Sequence, residues 1–143
     1  MVTSSKKIHI LIIDDDEVMR RLYGSLVAKI GYEVIYSPDA IQGRELARRF
    51  QPDLILMDMN MPKEDGMTAS GRLKNEKETA HIPVVLLTND DLSIEAEKWM
   101  KESLIDDYIQ KGVSNEVFIE RIKKIVDKNK LLPTSNIGKK NIS

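Results

Sequence analysis

The chain has 143 residues, 41% hydrophobic and 31% charged, which is the size of one compact domain with a single hydrophobic core plus frayed ends. Lys and Arg number 22 against 23 Asp and Glu, and the net charge of −1 offers no global field for nucleic acid, a membrane surface or a polyanionic substrate. There is no cysteine, which excludes disulfides, thiolate metal sites and cysteine nucleophiles, and His9 and His81 lie too far apart in sequence to suggest histidine chemistry.

The first apolar run, Ile8–Ile13, ends at three aspartates and is too short for a signal sequence or a membrane span, so a cytoplasmic protein is expected. It reads as a strand. Helical spacing follows, with Met19, Leu22, Leu26 and Ile30 on one stripe and Gly31 as the stop. A second strand run covers Glu33–Tyr36. Ser37-Pro38 then predicts a cap and a first helical residue for a helix reaching about Phe50, closed by Pro52. Further strand runs stand at Leu54–Met57, Val84–Leu87 and Tyr108–Gln110, each followed by a helical segment. The last helix is expected to start at Ser114, bury Phe118, Ile122, Ile125 and Val126, and run to about Lys128. The implied organisation is an extension over residues 1–7, a domain over 8–128 and a tail or start of a linker over 129–143.

This rhythm is βα repeated five times. The first, third and fourth runs are apolar at nearly every position, as strands covered by helices on both faces require. The fold class is therefore α/β, a doubly wound parallel sheet, with its site beyond the carboxyl ends of the strands. Asp14, Asp15 and Asp16 follow the first strand there, Asp58 the third, Thr88 the fourth and Lys111 the fifth. Each alone has an ordinary reading: aspartate caps helices, threonine favours strand ends and lysine is usually solvated. Together they are harder to dismiss, because clustered carboxylates repel one another unless a cation sits among them. Lys111 and a hard divalent ion would supply that charge, and oxygen-only ligands in small number point to Mg²⁺. Such a set suits phosphoryl transfer to an aspartate, with Asp58 as nucleophile, Asp14 and Asp15 as the metal pair, and Thr88 and Lys111 on the phosphoryl oxygens.

Over nearly all of Lys7 to Lys128 the sequence resembles the receiver-domain family of bacterial response regulators. ILIIDDDEVMRR is similar to that family's first strand and acidic pair, DLILMDMNMPKEDGM to its phosphorylation loop, IPVVLLT to its fourth strand with a switch threonine, and DDYIQK to its fifth. The resemblance implies a five-stranded flavodoxin-like (βα)5 sheet in the order 2-1-3-4-5, as in single-domain chemotaxis regulators. It also implies that Asp58 is the phosphoacceptor, and that Mg²⁺ is held by Asp14, Asp15, Asp58 and the Asn60 backbone carbonyl. Thr88 and Lys111 would bind the phosphoryl group, and Thr88 and Tyr108 would form the switch. The implied partners are a sensor histidine kinase or phosphotransfer protein and a downstream protein reading helix 4, strand 5 and helix 5, with no membrane and no direct nucleic-acid contact. The protein would not be an enzyme beyond phosphorylating and dephosphorylating itself.

The sequence departs from the family at several points. Gly112 stands where the family usually has a proline that aims the lysine inward, and Asn89 where it prefers a very small residue. Ser103-Leu104-Ile105 replaces a glycine-containing helix end, and Ala69, Ser70 and Gly71 weaken the third helix. Two other readings fit parts of the pattern. Asp14-x-Asp16-x-Val18 after an apolar strand also begins a haloacid-dehalogenase-like phosphatase, although Asp58 is then unexplained. A module that acts through protein contacts without phosphorylation would fit Asn89 and Gly112.

Overall fold

The computed structural model describes residues 6–131, so the ends of the expected terminal segments, residues 1–5 and 132–143, lie outside the described residues. In chain order the elements are β1 (His9–Ile13), α1 (Glu17–Lys29), β2 (Glu33–Ser37), α2 (Ala40–Phe50), β3 (Leu54–Asp58), α3 (Gly66–Lys74), β4 (Val84–Thr88), α4 (Ser93–Lys101), β5 (Asp107–Gln110) and α5 (Asn115–Leu131). The strands form one parallel sheet in the order β2-β1-β3-β4-β5, with Ile13 beside Met57, Asp58 beside Leu87 and Thr88 beside Gln110. This is the expected doubly wound sheet.

The strands sort their side chains by a period of two. Leu11, Ile13, Ile55, Met57, Val84 and Leu86 share a buried cluster with Ala47 of α2, Ala69 and Leu73 of α3 and Ala96 of α4. The alternate residues Ile10, Ile12, Leu54, Leu56, Val85 and Leu87 point the other way and are equally buried, and α1 lies against β1 and β2. The described residues from Ser114 onward form their own unit, in which the Val117 N–H donates to Ser114 Oγ at 3.1 Å, as the expected cap requires. Phe118, Ile122 and Val126 are buried and Ile125 is half-buried; the helix runs three residues past the expected end.

Two local expectations are corrected. The cap of α2 is Asp39, whose Oδ1 accepts from the Gln42 N–H at 2.8 Å, while Ser37 ends β2 and its carbonyl accepts from the Asp14 N–H at 3.1 Å. The buried side of α1 is Tyr23, Gly24, Leu26 and Val27; of the expected stripe only Leu26 is fully buried, and Leu22 is 44% exposed. Gly24 is buried because Tyr36 covers it: a Cβ there would lie 2.0 Å from the tyrosine hydroxyl.

The two Schellman helix ends are informative. At the end of α1 the Gly31 N–H donates to Ala28 O and the Tyr32 N–H to Val27 O, with Gly31 at φ +93°. At the end of α4 the Ser103 N–H donates to Met100 O and the Leu104 N–H to Trp99 O, with Ser103 at φ +62°. A serine holds the left-handed slot that glycine fills at α1. The Ser70 hydroxyl of α3 donates to the Leu104 carbonyl, which fastens this turn.

Candidate functional site

β1, β3 and β5 end on the same edge of the sheet around a cleft, with β4 between β3 and β5, and each of the three delivers a charged side chain to it. Asp14, just past β1, is 1% exposed; its Oδ1 accepts from the Asp16 N–H at 2.9 Å and its carbonyl accepts from Arg20 at 2.7 Å. Asp58, the last residue of β3, is 5% exposed, and its Oδ1 accepts from Lys111 Nζ at 2.8 Å. The Asn60 N–H favours the ionised form of the Asp58 carboxylate. Lys111 Nζ lies 3.8 Å from Asp14 Oδ2. Carboxylate oxygens of Asp14, Asp15 and Asp58 come within 4.8 Å of one another. The cleft measures about 270 Å³, and Asp16, Met19, Asn60 and Asn89 complete its wall.

The electrostatics show an excess of negative charge. Burial pushes the Asp14 carboxyl up; the Asp16 N–H pulls it back in part, and the Asp58 charge raises it further. Burial likewise pushes Asp58 up, against the hydrogen bond and charge of Lys111. For Lys111, burial pulls the ammonium down, but its bond to Asp58 and the charges of Asp58 and Asp14 outweigh that, and the net direction is up. Asp14 Oδ2 is buried with no hydrogen-bond partner, an expensive position for a carboxylate oxygen. Three carboxylates and one ammonium fit a divalent cation of the hard, oxygen-seeking kind.

Not every expected residue reaches the cleft. Thr88 is buried, and its Oγ1 accepts from the Asp90 N–H at 3.0 Å; Asn89 lines the cleft in its place. Tyr108 packs against the core cluster and borders a different depression, of about 300 Å³, shared with Ile94, Glu97 and Met100 of α4. Asp16 does line the cleft, but it is exposed and caps α1, its Oδ1 accepting from the Val18 N–H at 2.9 Å. In the phosphatase-like Asp-x-Asp-x-Val pattern the second aspartate is therefore occupied in capping, and Val18 is 70% exposed.

Tyr23 is a site neighbour that sequence reasoning misses. It is buried one helical turn beyond the cleft-lining Met19 and interacts electrostatically with Lys111, Asp14 and Asp58, its hydroxyl pushed up by burial. The available signal was the four-residue spacing from Met19.

A doubly wound sheet with buried carboxylates and a lysine at its carboxyl edge is the architecture of an aspartate-based signalling receiver. The family model for the response regulator receiver domain matches residues 10–123, and the chain belongs to that family. It is 34% identical over 114 residues to the polar-differentiation response regulator DivK of Brucella ovis, covering 80% of this chain and 92% of that protein. It is 36% identical over 124 residues to the DNA-binding dual master transcriptional regulator RpaA of Synechocystis, covering 87% of this chain but only 51% of RpaA. Among solved structures, the receiver domain of a Pseudomonas aeruginosa sensor histidine kinase has the same fold, with a TM-score of 0.74 and 22% identity over 85% of this chain and 99% of that one. That domain holds a magnesium ion in its active-site cleft. Among the described residues no helix is long and apolar enough to cross a membrane.

Proposed function

We propose that the domain, residues 8–128, is a Mg²⁺-dependent receiver that takes a phosphoryl group onto Asp58 from a sensor histidine kinase or phosphotransfer protein in the cytoplasm. The observation that carries the reading is the charge of the cleft: three carboxylates within 4.8 Å, one ammonium, and the buried Asp14 Oδ2 without a hydrogen-bond partner. That set leaves two negative charges over, which a divalent ion would balance. Asp14, Asp15, Asp58 and the Asn60 carbonyl would hold Mg²⁺, which when bound supplies electrostatic stabilisation of the phosphoryl oxygens. The magnesium in the Pseudomonas receiver supports the same assignment.

The chain's own groups divide the remaining work. An Asp58 oxygen attacks phosphorus as the bond to the donor breaks, and the phosphoryl group replaces the carboxylate's negative charge with about −1.5 to −2. Lys111 keeps one Asp58 oxygen paired and offers its ammonium to the transferring group. Thr88 joins by turning its hydroxyl from the Asp90 N–H to a phosphoryl oxygen. Tyr108 and α4 would carry that change to a downstream protein partner at the α4–β5 surface. The Lys111–Asp58 pair supports this reading over a phosphorylation-independent module despite Gly112, while Asn89 still favours the module.

Incubation with Mg²⁺ and acetyl phosphate or beryllofluoride, read by intact mass and Trp99 fluorescence, tests the proposal. The expected result is labelling and a fluorescence change in the wild type and neither in Asp58→Asn. Equal labelling of the two, or no response in the wild type, would overturn it.

A further inference from the structure

We propose that Glu64 is a positioning residue for the metal site: clamped between Arg44 and Arg72, it holds the bend over residues 59–65 that sets Asn60 on the cleft wall. The inference rests on the Mg²⁺ reading above and goes beyond it to residues that do not touch the ion.

The bend leaves Asp58 and returns to it. The Gly66 N–H donates to Met59 O at 2.8 Å, and a Cβ on Gly66 would come 2.5 Å from the Asp58 carbonyl oxygen, so only glycine permits so close a return. Between those ends the Glu64 N–H donates to Pro62 O at 2.8 Å around Lys63 at φ +73°. That is a γ-turn of the rare positive-φ kind, a conformation that persists only where the surroundings hold it. Lys63 itself is exposed and does no holding.

Glu64 does. Its side chain is 9% exposed; Oε1 accepts from Arg44 of α2 at 3.1 Å, and Arg72 Nε of α3 stands 2.5 Å from Oε2. The Arg72 approach lies off the hydrogen-bond direction, so that contact is an ion pair. A buried apolar residue would fill the same space, but a carboxylate between two guanidinium groups has a direction as well as a volume. The bend has other anchors at its ends and at Met61: the Met59 N–H donates to Leu87 O at 2.8 Å, Met61 is buried in the core, and Asp65 caps α3 through the Thr68 N–H at 2.7 Å. Asn60 lines the cleft beside Asp58 from within this bend. Loss of the clamp should loosen the ligand set without removing a ligand.

The test is calorimetric Mg²⁺ titration of wild type, Glu64→Gln and Arg72→Gln, with thermal melts in EDTA beside it. Groups that orient metal ligands typically cost 10–100-fold in affinity when changed, and Glu64→Gln is expected to weaken Mg²⁺ about tenfold. A Glu64→Gln protein that melts lower in EDTA yet binds Mg²⁺ within about twofold of wild type would show a merely structural clamp and overturn the inference. If Glu64→Gln does not fold, Arg72→Gln decides, because that side chain is 59% exposed and its loss leaves the core intact; unchanged affinity there overturns the inference equally. A wild type that takes no Mg²⁺ at all instead overturns the reading on which this one rests.

Discussion

Replacing Lys111 by methionine, which keeps most of the unbranched stem and removes the charge, separates the two kinds of cation the cleft can use. Lys111 Nζ stands 2.8 Å from Asp58 and 3.8 Å from Asp14, and at an effective dielectric near 20 these contacts amount to about 6 and about 4 kcal/mol of gross attraction. Desolvation of the same groups cancels most of that, and removing one partner of a buried pair costs about 3–5 kcal/mol in practice. The two carboxylates, already pushed up by burial, can take up a proton once the ammonium is gone, so the lower end applies, about 3 kcal/mol. For a chain of 143 residues that is a fall of about 10 °C in melting temperature.

Urea and thermal unfolding of both proteins, in EDTA and in saturating Mg²⁺, measure the effect. Mg²⁺ at a hundred times its dissociation constant adds about 2.7 kcal/mol to the wild type, and it should add more to Lys111→Met, because the ammonium no longer repels it. Linkage then fixes a second number: each 1.4 kcal/mol of the loss that Mg²⁺ recovers must appear as about tenfold tighter Mg²⁺ binding by the variant. An equal loss with and without Mg²⁺ would refute the reasoning, since the lysine would then stabilise through its aliphatic chain and not through its charge.

Stability should also depend on pH with opposite signs in the two metal states. Asp14 and Asp58 have folded pKa values raised above 3.8, so their contribution is full below that value and lost as pH rises through the raised ones. The metal-free wild type should therefore gain relative to Asp14→Asn as pH falls from 7, whereas excess Mg²⁺, which binds the ionised carboxylates, reverses that slope. Parallel pH profiles for the two proteins in EDTA would show that Asp14 contributes nothing to the linkage. Separately, Ser103→Gly should stabilise the protein by about 0.5–1 kcal/mol by relieving a serine at φ +62°, and unchanged urea midpoints would argue against strain there.

The sheet and the acidic cleft were legible in the sequence because they rest on composition over several residues at once. Ile10–Ile13, Leu54–Met57 and Val84–Leu87 are all apolar, and both faces of those strands are buried. A doubly wound sheet then puts whatever follows its strands on one edge. What stayed hidden depended on single dihedrals or rotations. Gly31 announced the end of α1, but Ser103 closes α4 by the same pair of hydrogen bonds with a residue that rarely adopts positive φ. Ser37-Pro38 has the chemistry of a helix start, yet Ser37 is held in the sheet by the Asp14 N–H, and Asp39 takes the cap. The stripe of α1 was misplaced because Met19 is apolar and belongs to the cleft wall, so a periodicity count took it for core. Glu64 was unreadable for a related reason: an acidic residue beside an acidic residue in a loop reads as solvated surface until two arginines from other elements close on it.

Gly112 shows how the lysine keeps its aim without the proline that the family usually has. Among the described residues no peptide bond is cis, and Lys111 points at Asp58 regardless. Its backbone is placed by the sheet: the Lys111 N–H donates to the Thr88 carbonyl at 2.6 Å, one residue beyond the pairing of Thr88 with Gln110. Gly112 then turns the chain at φ +103°, a conformation that glycine adopts without strain. Thr88 thus holds two things by different atoms, Lys111 by its carbonyl and the Asp90 N–H by its hydroxyl. Rotation of the threonine side chain toward a phosphoryl group on Asp58 would release Asp90 and the start of the β4–α4 connection while the carbonyl keeps its hold on Lys111. Under the proposed reading, the switch can therefore move without giving up the lysine on which the chemistry depends.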